Sequence, residues 1–223
     1  MLRRCKSELL SEKPKRIIAR YGKFAGKYWK SYSQDWLSLY YSPMLTALRQ
    51  YLVDLEGKSV MEVGYGLPLF VTYLRSLGTD AVGIDIDPYI TGEGLHKMSV
   101  ERIPEGFKRR YAGRFDAIIE RIALSKLYDS NYFEKTGRHR FRDRKRILGE
   151  LRDMLKEGGL LVLQDDKGSV FTRREMSESE FRKVLNEPKI VFRDKRKKYM
   201  GWNTIVVYRK LKKGSRYAEI RKK

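Results

Sequence analysis

The apolar residues of this chain form short, nearly continuous runs that alternate with stretches of helical periodicity. Such runs are typical of strands buried on both faces of a parallel sheet. Four of them cover residues 59–63, 81–84, 115–120 and 160–163. Their alternation with helical segments predicts an α/β fold with a mostly parallel sheet and helices on both of its faces.

Helices are expected between these strands. One begins at Ser42-Pro43, because proline suits the first helical turn, and another ends at Gly78. A third carries the apolar residues from Ile147 onward and is expected to end at Gly158-Gly159. Between the second and third runs, proline and glycine interrupt the pattern, so only a weak strand over 96–100 is expected there.

Two late strands, at 189–192 and 204–208, follow each other with no helical pattern between them. A short connection cannot make a parallel crossover. The sequence therefore predicts a C-terminal antiparallel hairpin.

A glycine turn joins the first run to the helix that follows it. Glu62 precedes Gly64-Tyr65-Gly66, and Asp85 ends the next run, 19 residues after Gly66. Small residues in such a turn let the backbone approach a ligand, and an acid at the end of the second strand can accept hydrogen bonds from ribose. This spacing predicts a nucleoside cofactor lying across the ends of two neighbouring parallel strands.

Composition limits the class of protein. The 223 residues suffice for one sizeable core, and no run approaches the roughly 18 apolar residues that span a bilayer. No apolar segment follows the basic N-terminus, so a cytoplasmic location is expected. The single Cys5 excludes an internal disulfide, and His96 and His139 have no metal-ligand spacing, so no metal site is expected.

The net charge of +21 is unevenly distributed. Residues 57–137 carry 11 basic and 11 acidic side chains, whereas residues 138–223 carry 27 and 12. Abundant Lys, Arg and Glu are common in proteins of thermophiles, but that bias raises both signs together. A polyanionic partner, nucleic acid above all, accounts better for the surplus.

Taken in this order, the motifs resemble the class I S-adenosylmethionine-dependent methyltransferases, and the resemblance covers Pro43 to Arg209. Glu62 to Gly66 is similar to the family's first motif, Phe115 to Ile119 to its fourth strand, and Leu151 to Leu160 to the helix that precedes its fifth strand. The resemblance implies a Rossmann-like, mostly parallel seven-stranded sheet and S-adenosyl-L-methionine as cofactor. The chain departs from the pattern at Pro68, where the family usually has a third glycine, and in a short segment after Asp85.

The resemblance also assigns a cofactor site, with Glu62 beneath the methionine portion and Asp85 on the ribose. The full predicted set is Tyr28, Glu62, Gly64, Tyr65, Gly66, Asp85 and Ile86. Asp85 can alternatively cap the next turn. Tyr28 belongs to an aromatic segment that either covers the cofactor or packs on the core.

Substrate chemistry is expected at the carboxyl ends of the fourth and fifth strands, where Glu120 and Asp165 are the candidate catalytic residues. The alternative for Glu120 is a solvated pair with Arg121 at the strand end. A basic aromatic loop in the hairpin combines phosphate-binding cations with stacking surfaces, as in single-stranded RNA binding. Its candidate residues are Lys195, Arg196, Lys197, Lys198, Tyr199 and Trp202.

These features predict a basic aromatic N-terminal helical segment over 1–42, a methyltransferase domain over 43–210 and a basic tail over 211–223. The expected function is methyl transfer to RNA. The alternatives are a small-molecule or protein methyltransferase, or an inactive RNA-binding protein with this fold. The sequence leaves the oligomeric state and the methylated atom open.

Overall fold

The computed structural model describes residues 44–88, 90–121, 140–165, 188–193 and 204–210. The N-terminal segment with Tyr28, the basic tail and the hairpin tip with the candidate RNA-binding residues lie outside these ranges. None of the described helices has the length and apolar character needed to cross a membrane.

Seven strands and four helices make up the described fold. The helices are α1 (44–52), α2 (Leu69–Ser76), α3 (Glu105–Tyr111) and α4 (Arg140–Met154). The strands are β1 (Ser59–Val63), β2 (Asp80–Asp85), β3 (Leu95–Lys97), β4 (Phe115–Arg121), β5 (Leu155–Asp165), β6 (Pro188–Arg193) and β7 (Thr204–Arg209).

The strands form one sheet in the order β3-β2-β1-β4-β5-β7-β6. The pairs among β3, β2, β1, β4 and β5 are parallel. β7 runs antiparallel to both β5 and β6. The predicted α/β Rossmann-like fold with a mostly parallel sheet and a C-terminal antiparallel pair is therefore confirmed.

Alternate strand residues enter two separate hydrophobic clusters, because successive side chains of a strand point to opposite faces. Val60 of β1 packs in the cluster that holds Leu48 of α1 and Phe70 of α2. Its neighbour Met61 packs in the other cluster, with Leu151 of α4. Both faces of the central strands are thus covered by a filled core.

The expected helix end at Gly158-Gly159 is wrong. Helix α4 ends at Met154, and both glycines lie within β5. Lys210 draws this segment into the sheet, since Gly158 N donates to Lys210 O at 2.7 Å and Lys210 N donates to Gly159 O at 2.8 Å. That pairing partner lies some 50 residues further along the chain, so local sequence pattern carries no sign of it.

The region between β2 and β4 is compact. The expected weak strand is present as β3, Leu95–Lys97, and ends before Val100–Arg102, which form a 3₁₀ turn. Helix α3 was not predicted, because its seven residues offer only Phe107 and Tyr111 as an apolar spacing. The rings of Phe107 and Tyr111 lie 4.4 Å apart within the helix, and Tyr111 stacks on Phe115 of β4 at 5.1 Å, which anchors this short helix on the core.

Candidate functional site

The glycine turn leaves β1 at the carboxyl edge of the sheet. Gly64 has φ 77° and Gly66 has φ 53°, both in the left-handed region that favours glycine. A methyl group at Gly66 would meet no atom within 4 Å, so its backbone angle, and not crowding, requires glycine there. Gly64 N donates to Ile84 O of β2 at 2.8 Å, which fixes the start of the turn against the neighbouring strand.

Asp85 joins the end of β2 to this turn. Its Oδ2 atom accepts a hydrogen bond from Gly66 N at 2.9 Å, and its Oδ1 atom accepts one from Asp87 N at 2.8 Å. The second bond is the turn-capping role that the sequence also allowed for Asp85. A carboxylate has about four lone-pair sites, so acceptor capacity remains for ribose hydroxyls.

An exposed apolar side chain follows directly. Ile86 is 57% exposed, unlike most large apolar side chains of the described chain. The next residue, Asp87, is exposed and pairs with Lys97 at 3.6 Å. A flat apolar ring beside Asp85 would cover Ile86, which belongs to the predicted cofactor-binding set.

Tyr65 differs from the expectation for a residue that contacts a cofactor through its side chain. The side chain is only 1% exposed and packs in the core beneath the turn. Its hydroxyl donates to Ile90 O at 2.6 Å. Burial, reinforced by the negative charges of Asp85 and Glu62, raises the pKa of Tyr65 to about 12. The side chain of Tyr65 is therefore held inside the fold, by the core and by Ile90, and does not line the surface of the turn.

The two candidate acids on β1 and β4 lie on opposite faces of the sheet. Glu62 is level with Ile119, and Glu120 is level with Val63. Both carboxylates are buried, Glu62 at 1% and Glu120 at 3% exposure. Glu120 therefore lies at the expected strand end but beneath the surface, contrary to the alternative of a solvated acid.

The structure places Asp165 as the last residue of β5, where its backbone pairs with Thr204 of β7. It therefore ends its strand at the same edge of the sheet as Glu120. Among the described residues, no three His, Cys, Asp or Glu side chains come together as metal ligands.

The predicted site does not include Gly83 or Arg75. A methyl group on Gly83 would lie 2.6 Å from Cδ1 of Tyr65, so the tyrosine ring rests directly on the β2 backbone. Arg75 donates through Nε and Nη2 to Ala81 O, at 2.9 and 2.7 Å. A glycine inside an apolar strand signals close approach of another group, so Gly83 was detectable.

Neither the protein-family models nor the curated proteins contain a match to this chain. Solved structures do match. The 1,6-didemethyltoxoflavin-N1-methyltransferase of Burkholderia thailandensis, crystallised with its substrate and S-adenosylhomocysteine, is 15% identical, with 92% of this chain and 88% of that chain covered and a TM-score of 0.56. The magnesium protoporphyrin IX methyltransferase of Synechocystis PCC 6803, with bound S-adenosylmethionine, is 14% identical, with coverages of 89% and 97% and a TM-score of 0.52.

A third match is an S-adenosylmethionine-dependent methyltransferase of Archaeoglobus fulgidus, 11% identical over 75% of this chain and 93% of that chain, with a TM-score of 0.51. The chain has the class I methyltransferase fold. At these identities the likeness concerns the methyltransferase fold alone. The residues of the glycine turn and of β2 have to carry the argument for activity.

Proposed function

We propose that this chain is an S-adenosylmethionine-dependent methyltransferase. The observation that carries the proposal is the hydrogen bond between Gly66 N and Asp85 Oδ2, which closes the glycine turn of β1 onto the acid at the end of β2. It brings together the two parts that the sequence assigned to a nucleoside. The exposed side chain of Ile86 lies next to them in the chain.

These residues fit the cofactor. Asp85 would accept hydrogen bonds from ribose, Ile86 would cover one face of the adenine, and the backbone of the glycine turn would line the remainder. When bound, S-adenosylmethionine supplies a methyl group already activated on a sulfonium. The chain then has to hold the acceptor in line with that methyl group and to take up a proton where the acceptor has one.

Binding of S-adenosylhomocysteine, measured by calorimetry, tests the proposal. We expect saturable binding that Asp85→Ala weakens by about 1–3 kcal/mol, because ribose loses its acceptor and Gly66 N loses its partner. Asp87→Ala is the matched control, since Asp87 is an exposed acid of the same turn and its peptide N–H remains. Absence of wild-type binding at millimolar ligand, or equal loss in both variants, contradicts the proposal.

For the acceptor we propose RNA, with Glu120 and Asp165 on the acceptor side of the site. The support is the surplus of cations over residues 138–223, 27 basic against 12 acidic. The matched enzymes from Burkholderia and Synechocystis are named for small-molecule acceptors, so a small molecule is the alternative. An RNA-binding protein that has lost methyl transfer is the second alternative.

Salt-dependent binding of single-stranded RNA tests this acceptor. Replacing Lys195, Arg196, Lys197 and Lys198 with Ala is expected to weaken binding and to reduce the log–log salt slope by about 0.7–0.9 per lost phosphate contact. The comparison is the replacement of Arg109 and Arg114 with Ala, two exposed cations in and just after α3. It removes half as much positive charge from another part of the chain. Transfer of labelled methyl to small metabolites but not to RNA would favour the small-molecule alternative.

A further inference from the structure

The connection from β2 to β3 makes a parallel link with no helix among its described residues, 86–88 and 90–94. The register explains why so short a link suffices. β3 lies level with only the last part of β2, since Gly83 pairs with Leu95 and Asp85 with Lys97. From the end of β2 the chain therefore has to return by only about two residues along the strand direction before it enters β3. A full crossover needs a dozen residues or more.

Each backbone carbonyl is an acceptor, and in a loop of this kind no helix supplies its donor. Two side chains supply donors. Tyr65 Oη donates to Ile90 O at 2.6 Å, and Arg75 Nη2 donates to Glu93 O at 2.9 Å. Arg75 also holds Ala81 O, so one guanidinium joins the start of β2 to the end of the loop.

The ring of Tyr65 has a fixed position. It lies on the backbone of Gly83, where an added methyl group would come within 2.6 Å of its Cδ1 atom. Ile90 is half-buried and packs against the same cluster. A tyrosine that is buried to 1% exposure and bonded at its hydroxyl has little freedom to follow an independent movement of the loop.

Both Tyr65 and the loop that its hydroxyl holds belong to the proposed nucleoside site. Tyr65 stands between the two glycines of the turn, and the loop that its hydroxyl holds begins with the exposed Ile86. We propose that Tyr65 is a positioning residue, which sets the loop carrying Ile86 against the glycine turn and so tightens binding of the adenosine portion. This inference rests on the proposed cofactor.

The hydroxyl is the part of Tyr65 that the proposal concerns. Phenylalanine would fill the same volume on Gly83 and would leave the apolar packing in place. It would remove the bond to Ile90 O and nothing else that the structure shows. Tyr65→Phe therefore separates positioning of the loop from filling of the core.

The experiment measures Tyr65→Phe in the full chain, with Tyr111→Phe as the control. Tyr111 is also buried, but it lies on the opposite face of the sheet between Phe107 and Phe115. We expect Tyr65→Phe to weaken both S-adenosylhomocysteine and adenosine by about the same factor, 3- to 10-fold, as expected for one lost hydrogen bond. Without ligand, amide exchange at Gly92 and Leu95 should accelerate in this variant alone.

The two readouts separate the possible failures. Wild-type chain that binds S-adenosylhomocysteine, with unchanged affinity in Tyr65→Phe, overturns the positioning role and leaves the proposed function standing. Faster exchange without any loss of affinity overturns it too, since the loop is then held for stability alone. A wild-type chain that binds no cofactor overturns the proposed function and the positioning role together.

Discussion

Two connections leave neighbouring strands of the same sheet and are built in different ways. The connection from β1 to β2, residues 64–79, contains helix α2, whose backbone groups pair within the helix and whose apolar side chains fill the core. The connection from β2 to β3 has no helix among its described residues. Its carbonyls at Ile90 and Glu93 pair with the side chains of Tyr65 and Arg75.

Both of these donors belong to the first connection. Tyr65 lies in its glycine turn and Arg75 in the last turn of α2. The first connection thus stabilises itself and supplies the second with the partners that a helix would have supplied. Substitutions that disturb the first connection should therefore destabilise the second connection as well. Substitutions of exposed residues in the second connection should have little effect on stability.

The largest effect is expected where the two connections touch. Gly83→Ala places a methyl group 2.6 Å from the Tyr65 ring and 3.1 Å from Leu95, so either the ring or the strand has to move. Overpacking of this kind costs about 1–3 kcal/mol. We expect a corresponding loss in the free energy of unfolding, measured with urea, together with faster amide exchange in the loop.

Gly92→Ala is the control for that variant. Gly92 belongs to the same loop, and a methyl group there would meet no atom within 4 Å. The two variants make the same chemical change, one with and one without a contact to Tyr65, so a larger cost for Gly83→Ala reports that contact. Equal costs would show that the ring does not couple the two connections.

Sequence reasoning succeeded where the determining residues are close together in the chain. The glycine turn and the absence of a helix directly after Asp85 follow from glycine and proline residues within the same short segments. The bond between Gly66 and Asp85 was not predicted as such, although the pairing of these two residues in one site was. It depends on the parallel register that sets Val63 beside Ile84, which no local pattern states.

The inward direction of Tyr65 was missed for the same reason. A residue between two glycines of a turn is normally expected to face the ligand, and its sequence neighbours give no reason to expect otherwise. The space that receives its ring exists because Gly83, on the next strand, has no side chain. The direction of the Tyr65 side chain depends on Gly83, and the two residues come into contact only once β1 and β2 lie side by side.

The ionisation of Tyr65 should have the smallest effect at neutral pH, and its effect should become measurable only at alkaline pH. Burial and the charges of Asp85 and Glu62 raise the pKa of Tyr65 from 10.0 to about 12, so the folded chain keeps this proton more tightly than the unfolded chain. The resulting stability is complete below about pH 10 and is lost as the pH rises towards 12. Unfolding free energies of wild type and Tyr65→Phe should therefore converge over this interval.

Tyr51→Phe is the comparison for this titration. Burial also raises the pKa of Tyr51, but the cation of Arg209 opposes that shift, and no hydrogen bond of Tyr51 to the β2–β3 loop is seen among the described residues. In the wild type and in Tyr51→Phe, loop exchange should accelerate over pH 10–12, because the Tyr65 phenolate can no longer donate to Ile90 O. In Tyr65→Phe this additional acceleration should be absent. A loop whose exchange stays constant across this interval, apart from the ordinary base-catalysed rise, would mean that the second connection does not depend on the first.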